Sequence, residues 1–125
     1  MISWASKLQQ VVSLSTTEAE YIALTEGAKE LIWLQCLFGD FDCPQQGSTL
    51  YCDSKSAIDL AKNAVFHSKT KHIEVHYHFI RSKLEEGKHQ VMKINTKENP
   101  NGALTKVVSQ EKFEFCRASL RIVKK

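Results

Sequence analysis

The longest periodic run of hydrophobic residues lies near the start of the chain. Apolar residues recur three and four positions apart over residues 17–38, which predicts an amphipathic helix. Ser15 precedes Glu18 by three positions, the spacing of a capping box, so the helix is expected to begin there. Gly39 and the stretch 43–47, which contains proline and glycine, end the pattern.

Shorter hydrophobic segments alternate with helical patterns through the rest of the chain. The predicted order is a strand ending with Val11, Val12 and Leu14, a helix over 17–38, a strand over 49–52, a helix from Ser54 to Ala61, a helix over 72–86, a strand over 89–95, a turn over 99–102, and helices over 103–108 and 110–123. This order predicts one α/β domain, with helices packed on a short mixed sheet. Trp4 and Trp33 are expected in the core.

The charge is distributed unevenly between the two halves of the chain. Residues 1–60 carry 3 basic and 8 acidic side chains, and residues 61–125 carry 14 and 6, so net −5 precedes net +8. Such a basic half can neutralise backbone phosphates independently of sequence, although a solvated helix face is an equal alternative. The candidate nucleic-acid-binding residues are Lys69, Lys71, Arg81, Lys83 and Lys88.

Several classes of protein and site are not expected. No apolar run is long enough to span a membrane and the first residues do not resemble a secretory signal, which favours a cytoplasmic or nuclear location. The four cysteines form no CxxC pair and are expected to be reduced and mostly buried, without zinc. His72, His76 and His78 have a spacing that can bind zinc, but Glu74 does not complete an HExxH motif, so a polar helix face is favoured.

Two carboxylates are the main candidates for chemistry. Glu20 lies one turn into the first long helix, and Asp53 follows a strand at its carboxyl end, where open α/β sheets place their ligand sites. Together they could hold Mg²⁺, which prefers oxygen ligands. In the alternative interpretation, Glu18 and Glu20 only favour the helix N-terminus, and Asp53 caps the next helix.

Four segments change the balance between these interpretations. They are 13–24 (SLSTTEAEYIAL), 50–63 (LYCDSKSAIDLAKN), 66–81 (FHSKTKHIEVHYHFIR) and 97–100 (KENP) followed by 104–106 (LTK). In this order they resemble the ribonuclease H domain of copia-type retrotransposon Pol polyproteins. The resemblance extends from Ile2 to about Cys116 and implies a ribonuclease H-like fold.

The resemblance also implies an activity and its ligands. Members of the family cut the RNA strand of RNA–DNA hybrids with four carboxylates and two Mg²⁺ ions. Glu20 and Asp53 match two of the carboxylates, Gly102 stands where the family has its last Asp, and the strand with the first Asp would precede Ile2. We therefore expect an N-terminally truncated domain over 1–125, lacking the first two strands and catalytically inactive, with Mg²⁺ binding weak or lost.

The resemblance leaves three functions open for this chain. A relic domain with weak binding of an RNA–DNA hybrid or another nucleic acid is favoured. The alternatives are an active Mg²⁺-dependent hybrid ribonuclease and a protein-interaction module. For the last, the strand ending at Asp53 would expose an edge that can pair with a second copy of the chain.

Overall fold

A computed structural model describes residues 8–9, 12–45, 47–62, 74–87 and 89–123 of the chain, with only the backbone for 74–78. The chain divides into two compact units, residues 13–93 and residues 1–12 with 94–125. The elements of the first unit are α1 (Thr16–Asp40), β1 (Ser48–Cys52), α2 (Lys55–Lys62), α3 (Glu74–Glu85) and β2 (His89–Lys93); those of the second are α4 (Gly102–Thr105) and α5 (Gln110–Ser119). No helix in the described part of the chain is long and apolar enough to cross a membrane.

Helix α1 begins where the capping box predicts. The Ser15 hydroxyl accepts a hydrogen bond from the Glu18 amide at 3.2 Å, and the Glu18 carboxylate accepts one from the Leu14 amide at 2.6 Å. One unpaired amide of the first helical turn and the amide just before the N-cap residue are thereby satisfied. The helix ends at Asp40, two residues later than predicted, and Asp42 then turns the chain in the left-handed region at φ 56°.

The sheet has two strands among the described residues, and they are parallel. Ser48 pairs with His89 and the register continues to Cys52 opposite Lys93. The mixed sheet predicted from the sequence is thus represented here by a parallel pair. Strand β2 ends at Lys93, two residues before the predicted end, and the helices α2 and α3 connect the two strands, as a parallel pairing requires.

The predicted first strand is wrong for the residues that the structure describes. Val12 and Leu14 lie outside any strand, with 87% and 81% of their surfaces exposed, while Val11 lies outside the described residues. The Leu14 amide donates its hydrogen bond to the Glu18 carboxylate at the start of α1, and so it does not donate to a neighbouring strand.

All five elements of the first unit contribute to one hydrophobic core. Its buried members are Tyr21, Leu24 and Ala28 on α1, Cys52 on β1, Ala57, Ile58 and Ala61 on α2, Ile80 on α3, and Val91 on β2. Because side chains alternate along a strand, the other face of the sheet carries Tyr51 and Met92, which are register partners and remain 61% and 49% exposed. Among the described residues, the sheet is therefore covered on one face.

Two core predictions need correction. Trp33 is 56% exposed, because it follows Lys29 by four and Glu30 by three positions and shares their exposed stripe of α1; Trp4 lies outside the described residues. The cysteines are not mostly buried, since Cys36 and Cys43 are exposed, whereas Cys52 and Cys116 are buried.

The boundaries of the last three helices also differ from the predictions. Helix α3 is described from Glu74, so the predicted start at 72–73 lies outside the described residues; it ends at Glu85, before Gly87 at φ 71°. Helix α4 is a single turn and not the predicted 103–108, because Lys106 is already extended. Helix α5 ends at Ser119 and not at residue 123, since Arg121 takes φ 54°.

Candidate functional site

Three potential metal ligands meet where helix α1 passes the carboxyl end of strand β1. They are Glu20 on the second turn of α1, Cys52 as the last residue of β1, and Asp53 directly after it. One carboxylate oxygen of each acid and the Cys52 Sγ atom all lie within 4.8 Å of one another. We call this group the carboxylate–thiol cluster.

The position of Glu20 follows from the packing of α1. The next residue, Tyr21, is completely buried in the core, which turns this part of the helix toward β1 and α2. Glu20 lies at the border of that buried face and is half-buried. The capping role at the helix start belongs to Glu18, whose carboxylate binds the Leu14 amide. The helix dipole acts most strongly within the first turn, and Glu20 lies beyond that turn. Helix initiation therefore does not explain why an acid occupies position 20.

The position of Asp53 is not explained by capping either. Helix α2 begins at Lys55, and the Ser54 hydroxyl accepts a hydrogen bond from the Ala57 amide at 3.3 Å. Ser54 is therefore the capping residue, and the alternative interpretation in which Asp53 caps α2 is wrong. Within the described part of the chain, neither the Glu20 nor the Asp53 carboxylate takes part in a hydrogen bond or ion pair.

The thiol of the cluster is held in its protonated form. Burial raises the pKa of Cys52 above its ordinary value, and the negative charges of Glu20 and Asp53 raise it further, while a backbone hydrogen bond with Ser54 acts in the opposite direction. The Cys52 thiol also donates a long hydrogen bond to the Ser54 carbonyl, at 3.7 Å. Without a cation, the cluster is thus two carboxylates beside a neutral thiol.

The donor set fits a divalent cation. Two carboxylates without partners in the described structure supply the oxygen ligands that Mg²⁺ and other hard cations prefer. Their place at the carboxyl end of a parallel strand is where α/β sheets bind ligands. A cation held there is able to polarise a phosphodiester and to lower the pKa of a bound water.

Most of the basic residues predicted to contact nucleic acid lie outside the described residues, namely Lys69, Lys71 and Lys88. Arg81 and Lys83 lie on α3 and are half-buried. The Lys83 ammonium is 2.5 Å from the carboxylate of Glu86, the residue that follows α3, and both side chains are partly exposed. The phosphate-binding face therefore stays a prediction, as does the polar role of His72, His76 and His78, whose side chains are not described.

Gly102 lies in the second unit, as the first residue of α4. Its φ angle is not in the left-handed region, and a Cβ added to it would meet no atom within 4 Å. A larger side chain is thus sterically compatible with this position.

Cys52 is the member of the cluster that the sequence analysis misses as a ligand. In the sequence it occupies a buried position of a short strand, where a cysteine is typical as a packing residue. The available signal is its position directly before Asp53 at the end of that strand.

The chain is similar to segments of three plant transposon polyproteins. It is 54% identical over 116 residues to the "Retrovirus-related Pol polyprotein from transposon TNT 1-94" of Nicotiana tabacum, covering 93% of this chain and 9% of that protein. Two polyproteins of Arabidopsis thaliana, from transposons RE2 and RE1, are 36% and 37% identical over 124 and 114 residues, which is 98% and 90% of this chain.

The chain spans less than a tenth of the length of these relatives, 9% of the first and 8% of the other two. No protein-family model and no solved structure matches it. The names of the relatives support a copia-type polyprotein. The chain is thus homologous to one segment of the retrovirus-related Pol polyproteins of plant transposons.

Proposed function

We propose that this chain derives from the ribonuclease H domain of a copia-type retrotransposon Pol polyprotein. In this proposal the fold is ribonuclease H-like, and Glu20 and Asp53 are two carboxylate ligands of its divalent-metal site. The chain itself binds Mg²⁺ weakly, does not hydrolyse RNA, and retains weak affinity for an RNA–DNA hybrid.

The observation that carries the proposal is the meeting of Glu20 and Asp53 at the end of β1. The two residues are 33 positions apart in the sequence, and their carboxylate oxygens lie within 4.8 Å. Like charges at this distance repel, so the arrangement costs stability unless a cation is bound. The capping contacts of α1 and α2 are made by Glu18 and Ser54, which are close in sequence to the two acids. Neither Glu20 nor Asp53 is therefore needed for capping. A metal-binding role accounts for both acids.

The lack of hydrolysis follows from Gly102. This residue stands at the position where the resemblance expects a further Asp, and a glycine supplies no ligand. Mg²⁺ demands near-ideal octahedral geometry and gives up its water reluctantly, so the loss of a carboxylate weakens a two-ion site severely. Phosphodiester cleavage by two ions depends on both being held at ~3.5–4 Å from each other.

Binding of nucleic acid is supported by charge. The second half of the chain has a net charge of +8, and two of its candidate phosphate-binding residues, Arg81 and Lys83, belong to α3. Lysine and arginine that neutralise phosphates release counterions, so the affinity falls steeply with salt concentration. Recognition of a hybrid relies on the shape of the duplex and on 2′-hydroxyl groups.

A nuclease assay tests the proposal. The purified chain is incubated with Mg²⁺ or Mn²⁺ and a labelled RNA–DNA hybrid, beside the variants Gly102→Asp and Asp53→Asn. We expect no cleavage by the chain, and hybrid binding that weakens as salt is raised. Cleavage that disappears in Asp53→Asn would show an active ribonuclease instead. Hybrid binding that is absent at low salt, or indifferent to salt, would contradict the nucleic-acid part.

A second candidate function is self-association through the sheet. Among the described residues each strand pairs along one edge only, and Tyr51 and Met92 expose apolar surface on the uncovered face. Unpaired edges and exposed apolar faces favour association with another chain. Sedimentation velocity across a range of concentrations tests this candidate, and a strictly monomeric protein with a concentration-independent melting transition would contradict it.

A further inference from the structure

We infer that the carboxylate–thiol cluster is a site for a thiophilic divalent cation such as Zn²⁺, with Cys52 Sγ as a third ligand beside Glu20 and Asp53. The inference rests on the proposed function in that it takes the two acids as metal ligands. It goes beyond that function because it adds a sulfur ligand and changes the class of cation that the site selects.

The geometry of the cluster is close to that of a tetrahedral zinc site. With zinc–ligand bonds of ~2.0–2.3 Å in tetrahedral geometry, neighbouring donor atoms lie about 3.3–3.8 Å apart. The three donor atoms here lie within 4.8 Å of one another, so closing on an ion needs a movement of about 1 Å. Glu20 has the longer and more flexible side chain and is half-buried, so it is able to make most of this movement.

The type of donor decides which cation is preferred. Mg²⁺ takes oxygen ligands and keeps several waters, so a thiol beside it contributes little. Zn²⁺ binds sulfur, nitrogen and oxygen, and thiolate ligands favour it over the hard cations. Two carboxylates and a thiolate supply three protein ligands and leave a fourth position for water, which is the composition of an open zinc site.

The surroundings of Cys52 support a ligand role. Its side chain is only 7% exposed, and its thiol donates a hydrogen bond to the Ser54 carbonyl at 3.7 Å. Cys52 belongs to the hydrophobic core, and its sulfur also lies within 4.8 Å of a carboxylate oxygen of each acid, which core packing alone does not require. The two acids beside the buried sulfur are themselves partly exposed to solvent. On binding, Cys52 releases its thiol proton to solvent and its sulfur forms the bond to the metal.

The absence of a CxxC pair does not exclude a zinc site in this chain. That spacing reports sites whose ligands are close in sequence. Here the sulfur comes from the end of β1, and one oxygen comes from Glu20 on α1, which lies 32 positions earlier in the sequence. The packing of α1 on the sheet brings the ligands together.

Titration with Cd²⁺, a spectroscopic substitute for Zn²⁺, tests the inference. The parent for the experiment carries Cys36→Ser and Cys43→Ser, which removes the two exposed thiols that would compete for the ion. We expect the ultraviolet charge-transfer band of a cadmium–thiolate bond at one equivalent. Adding Cys52→Ser, which keeps the size of the side chain, should abolish the band, whereas Cys116 remains in both proteins as an internal control.

Competition experiments then rank the cations and separate the two proposals. We expect Zn²⁺ to displace Cd²⁺ with an affinity at least ~100-fold above that of Mg²⁺. Cys52→Ser, Glu20→Gln and Asp53→Asn should each weaken Zn²⁺ binding by ~10-fold or more. Mutation of residues that only support metal ligands already lowers metal affinity by ~10-fold or more. Circular dichroism confirms that each variant is folded, and the two acid variants test the site if Cys52→Ser does not fold.

Three results would overturn the inference. The first is a cadmium band that persists in Cys52→Ser, and the second is no band in the parent. The third is Zn²⁺ binding that is no tighter than Mg²⁺ binding. If Mn²⁺ or Mg²⁺ still binds and the binding is lost in Asp53→Asn, the proposed function survives without the sulfur ligand. If Zn²⁺ binds through Cys52 but the chain shows no salt-sensitive hybrid binding, the proposed function fails and the metal site remains.

Discussion

Removal of either acid from the carboxylate–thiol cluster should stabilise the metal-free protein. The carboxylate oxygens of Glu20 and Asp53 lie within 4.8 Å. Two negative charges at that separation repel by about 0.9 kcal/mol in a water-like dielectric and by about 3.5 kcal/mol at an effective dielectric constant of 20. Both side chains are half-buried, so solvent screens them and the lower end applies. We expect Glu20→Gln and Asp53→Asn each to raise the free energy of unfolding by about 1 kcal/mol.

The double variant makes this expectation specific. Either substitution relieves the same repulsion, so the second one should add almost nothing to the first. The assay is urea unfolding followed by circular dichroism, at low salt and with a chelator present. A gain of about 1 kcal/mol corresponds to about 4 °C in Tm for a chain of this size. Asp59→Asn is the matched control, because Asp59 is exposed on α2 and should change the stability little.

Two features of the change in the free energy of unfolding can refute the reasoning: its sign in the single variants and its additivity in the double variant. A loss of stability in either single variant would mean that the acid makes a favourable contact that the repulsion does not outweigh. Gains that add in the double variant would mean that the two carboxylates do not interact. The gain should also shrink as salt is raised, because surface charges are screened over ~8 Å at physiological ionic strength.

Three further predictions concern other parts of the first unit. Ser54→Ala should cost about 1 kcal/mol in thermal unfolding through loss of the α2 cap, and an unchanged Tm would contradict that role. Ile80→Ala should cost about 2–5 kcal/mol in urea unfolding because Ile80 is buried in the core, while Met92→Ala on the exposed sheet face should cost much less; equal losses would refute the core assignment. The burial of Cys52 and its raised pKa predict slow reaction with a thiol reagent in the native protein. The folded form is favoured below the ordinary thiol pKa, and this contribution is lost as pH rises through the higher folded pKa. Glu20→Gln should lower the Cys52 pKa and speed the reaction near pH 9, and no change would exclude the charge effect.

Local signals in the sequence predicted the elements that depend on local contacts. Ser15 and Glu18 define the start of α1 because the capping hydrogen bonds join residues three and four positions apart. The same reasoning failed for Trp33, since hydrophobicity alone does not say which side of a long helix meets the core. It also extended α4 too far, because a few apolar residues do not specify more than one turn.

The candidate site was predictable in part. Glu20 and Asp53 were candidates from their places on a helix and at a strand end, but their spacing alone favoured helix capping, and only the resemblance to the retrotransposon family favoured a metal-binding role. The structure confirms the N-terminal role for Glu18 but not the capping role for Asp53, because Ser54 makes the capping contact of α2. Cys52 could not be recognised as a potential ligand from the pattern, since its nearness to Glu20 is produced by the packing of α1 against β1, which no local signal encodes.

The parallel pairing of β1 and β2 has a consequence for the order of folding. The Ser48 hydroxyl and the His89 ring nitrogen Nδ1, 2.9 Å apart, belong to residues separated by 41 positions, so this pair forms only after a long loop has closed. Such non-local contacts are made late and slowly compared with the turns of α1. The end of β1, which carries the sulfur and one of the carboxylates, is fixed only when its partner strand is in place. A cation that needs all three ligands would therefore bind the completed fold and not its precursors, and metal affinity would report how far the chain has folded.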